Sequence, residues 1–159
     1  MAALLGPSMG DKQTQDLINR VCRQTSDPAF CSGILSRNLP TPSVDLGGLT
    51  RLTVSLSLSY ATDTLSFIKT SEAAERNPNV KEQYTVCQGN YEKVVGFMKG
   101  ADYDAKRGDF KPMVTLLQSC SKPIILCQNA IARLVPQMLE KNRLMRVLLT
   151  MGLYEGNNL

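Results

Sequence analysis

The sequence has 159 residues and contains no histidine and no tryptophan. Without histidine there is no imidazole base, no histidine zinc ligand, and no Ser-His-Asp or Cys-His nucleophile arrangement. Aromatic residues make up only 6% of the chain, too few for the aromatic stacking platforms that nucleic-acid binding uses alongside a basic surface. Apolar runs all fall short of the roughly 20 residues that a bilayer crossing requires, so the chain is not expected to span a membrane. No Cys-x-x-Cys occurs among the five cysteines. A structural zinc site is therefore not expected, and neither is a bound cofactor.

What is present describes a folded domain. The chain is 43% hydrophobic and 20% charged, a balance suited to one core of ordinary size. Its net charge of +4 is too small and too dispersed to suggest nucleic acid as a partner. The excess is C-terminal: Lys111, Lys122, Arg133, Lys141, Arg143 and Arg146 face only Glu140 and Glu155 after residue 109. Such a surplus can steer the protein toward an acidic partner, and it can equally serve as a solvated helix face. The opening Met-Ala-Ala-Leu-Leu-Gly-Pro-Ser-Met-Gly lacks the basic start of a secretory signal and reads as a disordered expression leader over residues 1–10.

Apolar spacing places two short helices first. Leu17, Ile18, Val21 and Cys22 share one helical face, as do Phe30, Cys31, Ile34 and Leu35 after a turn that Ser26 or Asp27 can cap, with Pro28 in the first turn. Residues 11–42 thus form a helical hairpin closed by the linker around Pro40 and Pro42, and residues 43–155 form a four-helix bundle. Ser43 is the expected cap of the first bundle helix. Thr53 to Tyr60 alternates like a strand, yet no second strand exists to pair with it, so a helix is expected there. Val80, Tyr84, Cys87, Tyr91, Val94, Val95 and Met98 give the clearest helical stripe. Pro123 should kink the third helix or end its first half. The last helix follows Pro136, and the tail Gly156-Asn-Asn-Leu is expected to fray. The fold class is all-α, an up-down bundle preceded by a hairpin.

Cys22, Cys31, Cys87, Cys120 and Cys127 are better used as disulfides than as ligands, although spacing alone leaves the pairing open. A staple between Cys22 and Cys31 would be useful, since a short hairpin is marginal unaided.

Several segments together resemble the plant invertase inhibitor and pectin methylesterase inhibitor family. They are Cys22-Arg-Gln-Thr-Ser-Asp-Pro-Ala-Phe-Cys31, Asp45-Leu-Gly-Gly-Leu49, Cys87-Gln-Gly-Asn-Tyr91, and Gly108-Asp109 ahead of Cys127. The resemblance implies disulfides Cys22–Cys31 and Cys87–Cys127, a free Cys120, and a disulfide-stapled bundle without catalysis of its own. It also implies secretion to the apoplast or delivery to the vacuole, and a one-to-one complex with a plant acid invertase or pectin methylesterase. Family members of the cell-wall invertase type carry Pro-Lys-Phe after Gly-Asp, a segment that enters the enzyme's active site. Here Asp109 is followed by Phe110-Lys111-Pro112, which keeps the lysine and exchanges its neighbours. Pectin methylesterase inhibitors usually place Thr before the fourth cysteine and acids after it, whereas this chain has Leu126 before and Gln128-Asn129 after. The expectation is therefore invertase inhibition through a loop of Asp109, Phe110, Lys111 and Pro112. Lys111 would pair with a catalytic carboxylate, Phe110 would fill a sugar subsite, and Pro112 would hold the loop in shape. Pectin methylesterase is the alternative target. A non-inhibitory bundle that binds a small apolar ligand in its core, which the chain's seven Met residues would allow, or that serves as an interaction scaffold, is a third reading.

Overall fold

The computed structural model describes residues 10–159, so all but Gly10 of the expected leader lies outside the described residues. Helix α1 spans Lys12–Cys22, α2 Pro28–Asn38, α3 Leu46–Ala74, α4 Pro78–Lys106, α5 Phe110–Ser119, α6 Ser121–Ile131 and α7 Pro136–Asn157. No other helix and no strand occurs among the described residues.

The two short helices start on aspartate caps. Asp11 accepts from the Thr14 N–H at 2.8 Å and Asp27 from the Phe30 N–H at 3.0 Å, each satisfying one of the orphan donors of a first turn. A disulfide joins Cys22 to Cys31 across the turn, with Cα atoms 5.4 Å apart. The hairpin rests on α7 and α3. Its entry is tied to the linker by the Asp11 N–H on the Pro42 carbonyl at 2.7 Å and by the Val44 N–H on Thr14 Oγ1 at 3.0 Å.

In the bundle, α3 packs between α4 and α7, while α5 and α6 lie end to end and pack against α4 and α7. The strand-like stretch is helical. The buried face of α3 is built from Leu49, Thr50, Thr53, Val54, Ser57, Ala61, Thr64 and Ile68, at helical spacing but rich in hydroxyls. Thr50 and Ser57 return their hydroxyls to carbonyls one turn back, Leu46 and Thr53, at 2.7 Å each, which lets them be buried without an unpaired polar group.

Two boundaries differ from expectation. Asp45, not Ser43, caps α3, accepting from the Gly48 N–H at 2.7 Å. The C-terminal tail does not fray: α7 continues to Asn157, because Glu155 and the close packing of Gly152 and Gly156 hold it against the bundle. The third rod does break as Pro123 requires. α5 ends at Ser119 and α6 begins at Ser121 around Cys120, because the Pro123 ring cannot donate to the Ser119 carbonyl four residues earlier and would clash with it.

A second disulfide, Cys87–Cys127, joins α4 to α6. Beside it Tyr91 donates its hydroxyl to Asn142 Oδ1 at 2.5 Å, and Asn142 donates through Nδ2 to Gln128 Oε1 at 2.8 Å. This buried network links α4, α7 and α6 in one layer of the core.

Candidate functional site

The expected inhibitory residues sit where α4 turns into α5. The last turn of α4 closes on Gly108, whose φ of 75° is left-handed and suits glycine. The Gly108 N–H bonds the Ala105 carbonyl at 3.1 Å and the Asp109 N–H bonds the Asp104 carbonyl at 2.9 Å, the paired bonds of a Schellman cap. The chain then re-enters a helix at once. Asp109 occupies the N-cap without a side-chain cap bond, and its carboxylate lies 3.6 Å from Arg107 Nε.

Asp109, Phe110, Lys111 and Pro112 are therefore not a projecting loop. They are the N-cap and first turn of α5, where proline needs no N–H and a tight turn follows directly from the Schellman cap. Phe110 is half-buried. The guanidinium of Arg51 lies 5.6 Å from its ring centroid, and the ring edge is 3.6 Å from where a Cβ on Gly47 would stand. Arg51 also donates its Nε to the Ala105 carbonyl at 3.1 Å. The Asp45-Leu-Gly-Gly-Leu49 segment and the Gly108-Asp109 segment thus meet in space, joined by Arg51 and Phe110. Lys111 and Pro112 are exposed, and the Lys111 ammonium makes no ion pair among the described residues.

The four bonded cysteines pair as the resemblance implies, Cys22 with Cys31 and Cys87 with Cys127. Cys120 is free and fully buried, and burial pushes its thiol up to about 12. No group of three His, Cys, Asp or Glu side chains that could hold a metal exists among the described residues.

One surface escaped the sequence reading. Between α4 and α6 runs a groove of about 310 Å³, with Phe97, Pro123 and Leu126 as apolar wall and Lys93, Lys122 and Asn90 at its rim. Neither lysine has an ion-pair partner among the described residues. Val86, Ile125 and Leu126 are exposed large apolar side chains on the same two helices. The signal in the sequence was the four-residue spacing in Lys93–Phe97 and Lys122–Leu126, which puts each pair on one helix face.

Fold and site together define a helical bundle fixed by two disulfides. A family model for the plant invertase/pectin methylesterase inhibitor matches residues 16–151, and the chain belongs to that family, one of enzyme inhibitors rather than enzymes. Among curated proteins it is similar to a pectinesterase inhibitor of Actinidia deliciosa, 24% identical over 64% of this chain and 55% of that protein. It is also similar to pectinesterase inhibitor 2 of Arabidopsis thaliana, 22% identical over 72% and 66% respectively, so the matched region spans less than two thirds of each relative. Among solved structures, a mutant form of a pectin methylesterase inhibitor from Arabidopsis superposes with a TM-score of 0.79 at 21% identity, covering 89% of this chain and 96% of that one. A pectin methylesterase inhibitor from Arabidopsis thaliana gives 0.69 at 22%, covering 89% and 95%. These two likenesses show the fold.

Proposed function

We propose that this protein inhibits a pectin methylesterase by covering its active-site cleft. The observation that carries this reading is the conformation of residues 109–112. A plug for a deep invertase pocket needs a segment that projects, and here Phe110 is tucked under Arg51 while Lys111 lies on a helical turn. Both curated relatives are named as pectinesterase inhibitors, which supports the same target. A broad helical face remains as the means of blockade. The α4–α6 groove offers apolar contact from Phe97 and Leu126 together with unpaired ammonium groups at Lys93 and Lys122, which would meet acidic side chains on the enzyme and speed encounter. Inhibition then arises by occupation, and no residue of this chain takes part in chemistry. Secretion to the cell wall or the vacuole is part of the proposal, supported by two disulfides that persist in oxidising compartments.

The test is a titration of the oxidised protein against a plant pectin methylesterase and a plant acid invertase side by side. The esterase should lose its activity at about one inhibitor per enzyme while the invertase keeps its own. Lys93→Glu with Lys122→Glu should weaken inhibition about tenfold or more, with a steeper effect at low salt, and Lys111→Ala should leave it within about twofold. Inhibition of the invertase alone, lost with Lys111→Ala, overturns the reading.

A further inference from the structure

The last turns of α7 are seated deeply in the bundle. Gly152, Glu155 and Gly156 share one face of that helix. A Cβ on Gly152 would stand 3.1 Å from Leu117 Cδ1 and 3.9 Å from Thr53 Cγ2, and one on Gly156 would collide with Val114 and lie 2.8 Å from Met113 Cε. The backbone of α7 therefore touches both α3 and α5, and between the two glycines Glu155 has 0% exposure. Its Oε2 accepts from Thr53 Oγ1 at 3.0 Å, and its Oε1 has no partner.

No cation compensates this carboxyl among the described residues. On α3 the charged neighbour is Arg51, which is engaged by the Ala105 carbonyl and Phe110. On α5 the charged residue is Lys111, exposed on the first turn, and on α7 the preceding one is Arg146, exposed and well back along the helix. On α4, Asp102 is held by Lys106 at 2.8 Å. A carboxylate in such a site would be an unpaired buried charge, which is far more costly than a neutral carboxyl. Burial accordingly pushes Glu155 well above the ordinary carboxyl range, with the Thr53 hydroxyl opposing only in part.

We propose that Glu155 is a proton-operated latch: neutral, it holds the C-terminal turns of α7 on α3 and α5, and when it ionises those turns lift and withdraw support from the start of α5. Because the folded state favours the neutral form, the latch contributes fully below the carboxyl's unfolded value of about 4.3 and weakens as pH rises above it. While Glu155 stays neutral in the fold and ionised in the unfolded chain, the unfolding constant rises about tenfold per pH unit. The chain has no histidine, so no imidazole contributes a slope of its own between pH 5 and 8.

The experiment uses the free oxidised protein and needs no target enzyme, so its outcome is independent of which enzyme is inhibited. Urea unfolding of the parent and of Glu155→Gln is measured from pH 5 to pH 8. The parent's unfolding constant should climb about tenfold per pH unit over the lower part of that range, while the amide variant, neutral at every pH, stays flat. Infrared spectra of the parent alone at pH 6.5 give a second reading, in which a neutral carboxylic acid band should be present in the folded protein and vanish on unfolding. A parent whose stability does not fall with pH, a variant with the parent's slope, or a folded parent without that band overturns the latch.

Discussion

The guanidinium of Arg143 on α7 donates from Nη1 to Asp27 Oδ2 at 2.9 Å, across 116 positions of sequence. Asp27 is also the cap of α2, and Arg143 grips Glu140 of its own helix at 2.6 Å. One side chain thereby connects the turn of the hairpin to the last helix of the bundle.

Replacing Arg143 with Ala should free the hairpin locally without unfolding the bundle. Amide hydrogen exchange should quicken through α1 and α2 and leave the centre of α4 unchanged, since exposed ion pairs contribute little to global stability. The Phe30 N–H and the Arg143 guanidinium both hold the Asp27 carboxyl below its usual range. A carboxyl so depressed stabilises above its unfolded value of about 3.9 and ceases to do so as pH falls. The parent hairpin should therefore loosen only in strong acid, which exchange measured at pH 3 against pH 6 will detect.

Asn142→Ala should be costly out of proportion to its size. It strands the buried hydroxyl of Tyr91 and the Gln128 amide contact together, and an unsatisfied buried polar group costs about 1–3 kcal/mol. Urea denaturation should show a loss in that range. Tyr91→Phe should show a comparable loss, and the double variant less than the sum of the two, because both singles break the same bond.

The two disulfides should differ in what they secure. Cys87–Cys127 spans 40 residues and Cys22–Cys31 spans 9, so the chain-entropy treatment assigns them about 4 and about 3 kcal/mol. Cys87→Ala with Cys127→Ala should lower the midpoint of the whole transition, whereas Cys22→Ala with Cys31→Ala should mainly raise exchange in α1 and α2. Native Cys120 should resist iodoacetamide at pH 8 and react once the protein is unfolded, as its burial and raised thiol require.

The bundle was most legible where its buried face is aliphatic or aromatic. In α4 the stripe from Tyr84 to Met98 is the observed core face. α3 hid its period because Thr50, Thr53, Ser57 and Thr64 fill positions that a hydropathy pattern assigns to solvent; Thr50 and Ser57 satisfy their hydroxyls one turn back and Thr53 donates to Glu155 of α7, which no pattern of apolar residues reports. The end of α7 was misjudged for a related reason. Gly156-Asn-Asn-Leu reads as a tail with nothing to bury, and it is the fit of Gly152 and Gly156 against α3 and α5, with Glu155 inside, that carries the helix on to Asn157. At the site, Gly108 and Pro112 suggested a loop. The Schellman bonds and the missing N–H of proline are equally at home where one helix ends and another starts after only Arg107, Gly108 and Asp109.

The break at Cys120 divides the third rod of the bundle into unequal partners. α6 is bolted to α4 by Cys87–Cys127, while α5 is retained only by side-chain contacts such as Leu116 on Gly100 and Val114 on Gly156. Under a pulling force the rod should part by halves: the stretch bearing Phe110 and Lys111 should peel away first about the Ser119–Ser121 joint, while the covalently fastened half stays with its neighbour.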